Sequence, residues 1–139
     1  MDTLDLTALD TCLATLRAGH ARLLAAAPDS IEHQLFRAAC VKEFELLLEL
    51  VVKMLRKALR EYVTSTRELG DLPFKDVLRQ AARFGLLRID AVDQWFAYRD
   101  LRNTTAHEYG HNFAQKIIDV LPAFISDCQV VIARLRQSS

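Results

Sequence analysis

Residues 44–59 read FELLLELVVKMLRKAL, and their spacing decides the fold. Between Leu46 and Leu55 the apolar residues (Leu46, Leu47, Leu48, Leu50, Val51, Val52, Met54 and Leu55) cover more than one face of a helix. A helix apolar over that much of its circumference needs cover on more than one side. Nothing breaks the helical pattern between Ile31 and the segment TSTRELGDLP. The helix is therefore expected over about residues 31–65, roughly 50 Å at 1.5 Å per residue. Part of its cover is expected from a second copy of the chain, making a homodimer. The alternative is that the other helices of the same chain supply all of it.

Upstream, Leu4, Leu6, Leu9, Leu13, Leu16, Leu23 and Leu24 recur at helical spacing, and Pro28 follows. They predict a first helix over about residues 4–26, with Asp29 or Ser30 as N-cap of the long second one. Downstream, Pro73 suits the first position of a third helix and Gly85 the residue just past its end. Asp90 is expected to cap a fourth helix, AVDQWFAYRDLRNTTA, in which Trp95, Phe96 and Tyr98 are core or dimer contacts. A fifth is expected over about residues 112–136, kinked at Pro122. No stretch alternates with period two. The fold class is all-α, an antiparallel helical bundle of about five helices with a long second helix, forming one domain over residues 1–139.

Composition narrows the function. Half the residues are apolar, 51%, and only four Gly and three Pro interrupt them. The formal net charge is +0, so no overall positive field attracts nucleic acid and any RNA contact must come from a local basic cleft. No long uncharged apolar run exists, which excludes a membrane span. The acidic, amphipathic start MDTLDLTALD argues against an ordinary secretory signal. Cys12, Cys40 and Cys128 are few, distant and odd in number. They fit buried thiols in a reducing cytoplasm better than a disulfide framework.

Chemistry concentrates in LRNTTAHEYGH, residues 101–111. Its last five letters match the H-E-x-x-H of a zinc protease. Gly110 interrupts that motif, no third ligand stands at the extended spacing, and no strand is available to bind a peptide. No metal and no other cofactor are expected. The alternative begins at Arg102. His107 lies five positions further on, about 140° around an ideal helix, so the two converge only if the helix ends between them. The polar, β-branched and Gly residues of NTTAHEYG suit such an end. There His107 could exchange a proton with a ribose hydroxyl or a leaving oxygen. Arg102 could hold the phosphate, and Asn103 could orient a phosphate oxygen or the imidazole. By spacing alone, an arginine and a histidine at a helix C-terminus more often just satisfy carbonyls and the dipole.

RNTTAHEY resembles the R-x-x-x-x-H-x-Y signature of the HEPN superfamily, in particular its HepT-type toxins paired with a minimal nucleotidyltransferase (MNT). Phe44, Glu45, Glu49, Leu50 and Lys53 fall on the second-helix pattern F-E-x-x-x-E-L-x-x-K of that family, and FKDVLRQAARFGLL resembles its short helix with a Gly-Leu stop. The resemblance spans about residues 35–130. The sequence departs from it at Val52, where the family usually has tryptophan. The resemblance implies a small all-α bundle that dimerises, bringing the Arg and His of both chains into one cleft. It further implies a cytoplasmic, metal-independent endoribonuclease acting on RNA, with Arg102 and His107 catalytic. The partner it implies is a cognate MNT-type nucleotidyltransferase antitoxin, which transfers AMP onto Tyr109. An older description of the same family implies instead a non-catalytic substrate-binding subunit of a nucleotidyltransferase. A third possibility is a bundle used only for assembly. Glu45, Glu49 and Lys53 form a stripe at i, i+4 and i+8. It is either a solvated face with a Glu49–Lys53 pair or a pair of carboxylates supporting His107.

Overall fold

The computed structural model describes residues 4–62, 66–103 and 111–138. The chain runs as α1 (Thr7–Ala25), α2 (Ile31–Leu59), a short α3 (Thr66–Gly70), α4 (Phe74–Arg83), a 3-10 turn (Ile89–Ala91), α5 (Val92–Asn103) and α6 (His111–Ser138). No strand occurs among the described residues. The all-α bundle with a long second helix is as the spacing predicts.

Local chemistry accounts for most of the boundaries. Ser30 caps α2, its side chain accepting from the His33 amide at 3.0 Å. Asp29, the other candidate, takes the left-handed conformation of the turn, φ 66°. Gly85 sits past α4 at φ +80°, where a side chain would be strained. Pro73 is the residue before α4 rather than its first, a one-residue difference. Asp90 does not cap α5; it lies inside the 3-10 turn and pairs with Arg88 at 2.7 Å. Helix α6 is continuous through Pro122.

Two departures from expectation lie at the end of α2. The helix stops at Leu59, not near residue 65, and α3 follows. Nothing in residues 60–62 forbids a helix. The cause is tertiary: the Tyr62 ring stacks on Phe84 at 4.7 Å, and Arg56 Nη1 donates to the Leu69 carbonyl at 3.0 Å, tying α3 back onto α2.

The core is one cluster built around α2, which packs against α1, α4, α5 and α6. Phe44, Leu47, Leu48, Val51 and Leu55 are sealed to 1% exposure or less, and Val52 and Met54 are buried too. Of the broad apolar belt only Leu46 is exposed, at 37%, while Leu50 is partly buried. The chain thus covers nearly all of its own belt, which removes the reason for expecting a second copy there. All three cysteines are buried free thiols. Desolvation raises Cys12 to about 12, helped by its bond to Glu43, and raises Cys40 to about 11. Trp95 and Tyr98 belong to the core, packed around Phe124, whereas Phe96 is half-buried with Lys75 and Arg79 over its ring. None of the described helices is long and apolar enough to cross a membrane.

Candidate functional site

Helix α5 positions the site through its two faces. Trp95 and Tyr98 point inward, fully buried, and the Tyr98 hydroxyl donates to Asp127 of α6 at 2.6 Å. Burial and that bond push the Tyr98 phenol well above its ordinary value. Four residues on from each, Arg99 and Arg102 occupy the adjacent ridge. Arg102 stands in the last turn of α5. This is where a helix-end arginine was expected.

The structure brings Arg102 to Glu49. The two side chains form a hydrogen-bonded ion pair between α5 and α2, with the guanidinium 34% and the carboxylate 54% exposed. Glu49 therefore pairs across helices with Arg102, rather than along α2 with Lys53. The pair orients the guanidinium at the cleft by a charge-assisted contact. Asn103 is exposed and offers its Oδ1 to Arg102 Nη1 at a long 3.5 Å. Glu45 is half-buried one turn before Glu49. His107 and Tyr109, with Glu108, lie outside the described residues, as does any contact the carboxylates make with them. Among the described residues no group of three or more His, Cys, Asp or Glu could hold a metal.

Around the ion pair lies a cleft of about 410 Å³ between α2, α4 and α5. Helix α2 lines it with Leu48, Val52, Lys53 and Arg56 beside Glu49, α4 with Phe74, and α5 with Arg99 and Arg102. The Arg99 guanidinium lies over the Phe74 ring, 4.4 Å from its centre. The Nε atoms of Arg99 and Arg102 are buried without a hydrogen-bond partner among the described residues. Arg56, Phe74 and Arg99 escaped the reading of the sequence. The signal was present as two cation pairs at i, i+3, Lys53/Arg56 and Arg99/Arg102. Only tertiary packing brings the pairs to one cleft.

This arrangement suits anions. A clustered set of guanidinium groups, one fixed by a carboxylate, recognises phosphate oxygens and stabilises charge developing on them.

The chain matches the family model described as "Nucleotidyltransferase substrate binding protein like" over residues 4–137. It is 35% identical over 108 residues to "Probable ribonuclease HepT" of Haemophilus influenzae, an overlap covering 78% of this chain and 73% of that one. Among solved structures it is similar to a Haemophilus influenzae protein described as the substrate binding domain of a nucleotidyltransferase. The TM-score is 0.83 and the identity 29%, over 96% of this chain and 100% of the other. A protein of Thermus thermophilus superposes with TM-score 0.71 at 28% identity, over 92% and 98% of the two chains. Matched along nearly its whole length, the chain belongs to the HepT-like family of nucleotidyltransferase substrate binding protein like proteins.

Proposed function

We propose that the chain is a HEPN toxin of a toxin–antitoxin module, a metal-independent endoribonuclease of the cytoplasm formed by one domain that acts as a homodimer. The observation that carries the reading is the anchored Arg102, fixed by Glu49 at the end of α5 and followed by His107 and Tyr109 at the family's spacing. The relative named as a ribonuclease supports it.

In this reading the ribose 2′-oxygen attacks the adjacent phosphorus. A bond from the 2′-oxygen to phosphorus forms, and the bond to the 5′-oxygen breaks. His107 of one copy takes the 2′-hydroxyl proton, and the partner copy's equivalent histidine gives one to the leaving 5′-oxygen. Arg102 neutralises charge on the non-bridging oxygens, and Asn103 orients one of them. Glu49 is a positioning residue for Arg102, and Glu45 supports the same face of α2. The products are a 2′,3′-cyclic phosphate and a free 5′-hydroxyl.

Control falls to a cognate MNT-type nucleotidyltransferase that transfers AMP from ATP to the Tyr109 hydroxyl, releasing pyrophosphate. The added phosphodiester brings one negative charge, which competes for Arg102, and its nucleoside bulk blocks RNA entry. Tyr109→Phe keeps nuclease activity and escapes neutralisation.

The test is cleavage of a labelled RNA by the purified chain in excess chelator. Arg102→Ala and His107→Ala should each lower the rate at least about a hundredfold, and RNA with a 2′-deoxy nucleotide at the cut should resist. Cleavage unaffected by either substitution sinks the proposal. The second reading, a non-catalytic substrate-binding subunit, rests on the family description and on the similar structure described in those words. AMP transfer to Tyr109, found by mass spectrometry in a chain that cuts no RNA, supports it.

A further inference from the structure

The cleft beside Arg102 carries more charge and more apolar wall than holding one phosphate requires. Lys53, Arg56, Arg99 and Arg102 stand against the single carboxylate of Glu49, four positive charges less one, an excess of three. The whole chain has a formal net charge of +0, so this is a local concentration. Beneath the charges Leu48, Val52 and Phe74 form an apolar wall. Its volume of about 410 Å³ falls within the roughly 300–1,000 Å³ of small-molecule sites.

Two of the cations are held by the protein itself, Arg102 by Glu49 and Arg56 by the Leu69 carbonyl. Arg99 is different. Its guanidinium lies over the Phe74 ring, and its buried Nε, like that of Arg102, has no acceptor among the described residues. A donor in that state is satisfied only when the side chain turns to an acceptor, which the phosphate of a ligand would bring. An apolar wall with phosphate-seeking cations at its rim matches a ligand with a flat ring and an attached phosphate. Bases stack on aromatic and guanidinium faces whatever their sequence.

We propose that this cleft seats one nucleotide of the RNA beside the scissile phosphodiester. Its base lies against Leu48, Val52 and Phe74, and its phosphate lies between Lys53 and Arg99. The identity of the polymer rests on the ribonuclease reading; the nucleotide chemistry rests on the cleft. Val52 lines the cleft, so a larger side chain there would take up part of its volume. The larger groove between α1 and α2, about 820 Å³, does not suit the same ligand. There Asp5, Glu43 and Glu49 face the single cation Lys53, and a phosphate would be repelled.

The test uses the full chain and probes that cannot be cleaved. Adenosine 5′-monophosphate, ribose 5-phosphate and inorganic phosphate are titrated while backbone amide shifts are followed. A labelled hexanucleotide with 2′-O-methyl riboses is titrated by anisotropy. The nucleotide should shift the amides of Val52, Lys53 and Arg99 and bind at least tenfold tighter than ribose 5-phosphate. Val52→Trp should erase that advantage and weaken the hexanucleotide at least tenfold. Arg99→Gln, which leaves the apolar wall intact, should weaken nucleotide and sugar phosphate alike, at least fivefold. The proposal is overturned if the base adds no affinity or if the shifts fall in the α1–α2 groove. It is also overturned if Arg99→Gln binds as the parent does. A folded Val52→Trp chain that changes its oligomeric mass but not its nucleotide affinity makes the cleft a contact between copies and rejects the nucleotide. None of these readouts needs cleavage. A chain that binds as described yet cuts no RNA keeps the nucleotide seat and loses the ribonuclease reading. A chain that cuts RNA but fails these tests loses the seat alone.

Discussion

The two ridges of α5 face opposite worlds within one turn of each other. On the inner ridge, Trp95 meets Phe124, and Tyr98 meets both Phe44 and Phe124, in edge-on ring contacts with centroids 4.9–6.4 Å apart. On the outer ridge, Arg99 and Arg102 carry charge into an open cleft. The inner contacts are dense, mutually fixed and indifferent to salt. The outer ones are few and screened. A guanidinium on a three-carbon stem cannot hold itself in register with a reacting phosphate. On the proposed reading, the register comes from the aromatic layer behind it, and the Glu49 ion pair restricts the guanidinium further. The comparison predicts that stability resides in the inner ridge and chemistry in the outer one, and that the two can be changed separately.

The largest effect should come from Phe124→Ala. Phe124 is fully buried and touches Phe44, Trp95 and Tyr98 at 4.7, 5.9 and 4.9 Å between centroids. Removing the ring should cost about 3–5 kcal/mol in urea unfolding. A loss under about 1 kcal/mol would mean that the aromatic layer is not what holds α5 against α2 and α6.

Tyr98→Phe comes next. It keeps the ring contacts and leaves Asp127 without the hydroxyl that it accepts at 2.6 Å. A bond to a charged group contributes about 1.5–3 kcal/mol, and Asp127, only half-buried, recovers part of it through water. A loss of about 1–2 kcal/mol is expected, with RNA cleavage at low temperature unchanged. Cleavage falling in step with the lost hydroxyl would break the separation between the ridges.

Alkaline pH loads the sealed side without any substitution. The Cys12 and Cys40 thiols are raised by burial from 9.0 to about 12 and about 11. Between the ordinary and the raised values the unfolded chain loses these protons while the folded chain keeps them. The unfolded state then binds fewer protons, so stability must fall as pH rises through that window. Below about pH 9 the thiols should contribute no slope. Urea midpoints measured from about pH 7 to about pH 10.5 check the sign, and Cys12→Ala should flatten the decline. A midpoint that rises over the same range contradicts the burial of these thiols.

The same division explains what could be read in advance. Leucine spacing, Ser30 and Gly85 act through the nearest few residues, so α1, the start of α2 and the end of α4 were legible. The stop at Leu59 was not, because Tyr62 meets Phe84 and Arg56 meets Leu69 only after folding. Asp90 was misjudged because Arg88 competes for its carboxylate two residues away. The belt from Leu46 to Leu55 was read correctly as apolar, but its cover depends on how α1, α4, α5 and α6 wrap it. At the site, Arg102 was legible from its place at a helix end. Its partner Glu49, 53 positions earlier, could be singled out by pattern, but its contact could not be assigned. Arg99 carried only its i, i+3 spacing to Arg102, which does not say which cleft the pair enters.

The smallest effect on stability should come from Glu49→Gln, whose effect falls on chemistry. The pair it forms with Arg102 is substantially exposed, and exposed ion pairs contribute only about 0–1 kcal/mol. The unfolding midpoint should therefore barely move. Glutamine keeps the length and can still accept one bond from the guanidinium, but it no longer balances the charge that turns Arg102 toward α2. If Glu49 positions Arg102, the orientation lost should lower the cleavage rate about tenfold with little change in RNA affinity. If Glu49 merely solvates the surface of α2, the rate should stay within twofold of the parent. A third outcome has its own meaning. Removing a carboxylate from a basic cleft strengthens its pull on phosphate. RNA affinity rising while the rate constant falls therefore assigns Glu49 to orientation over attraction. Unchanged affinity and an unchanged rate together remove Glu49 from the site and leave the inner ridge as the sole support of Arg102.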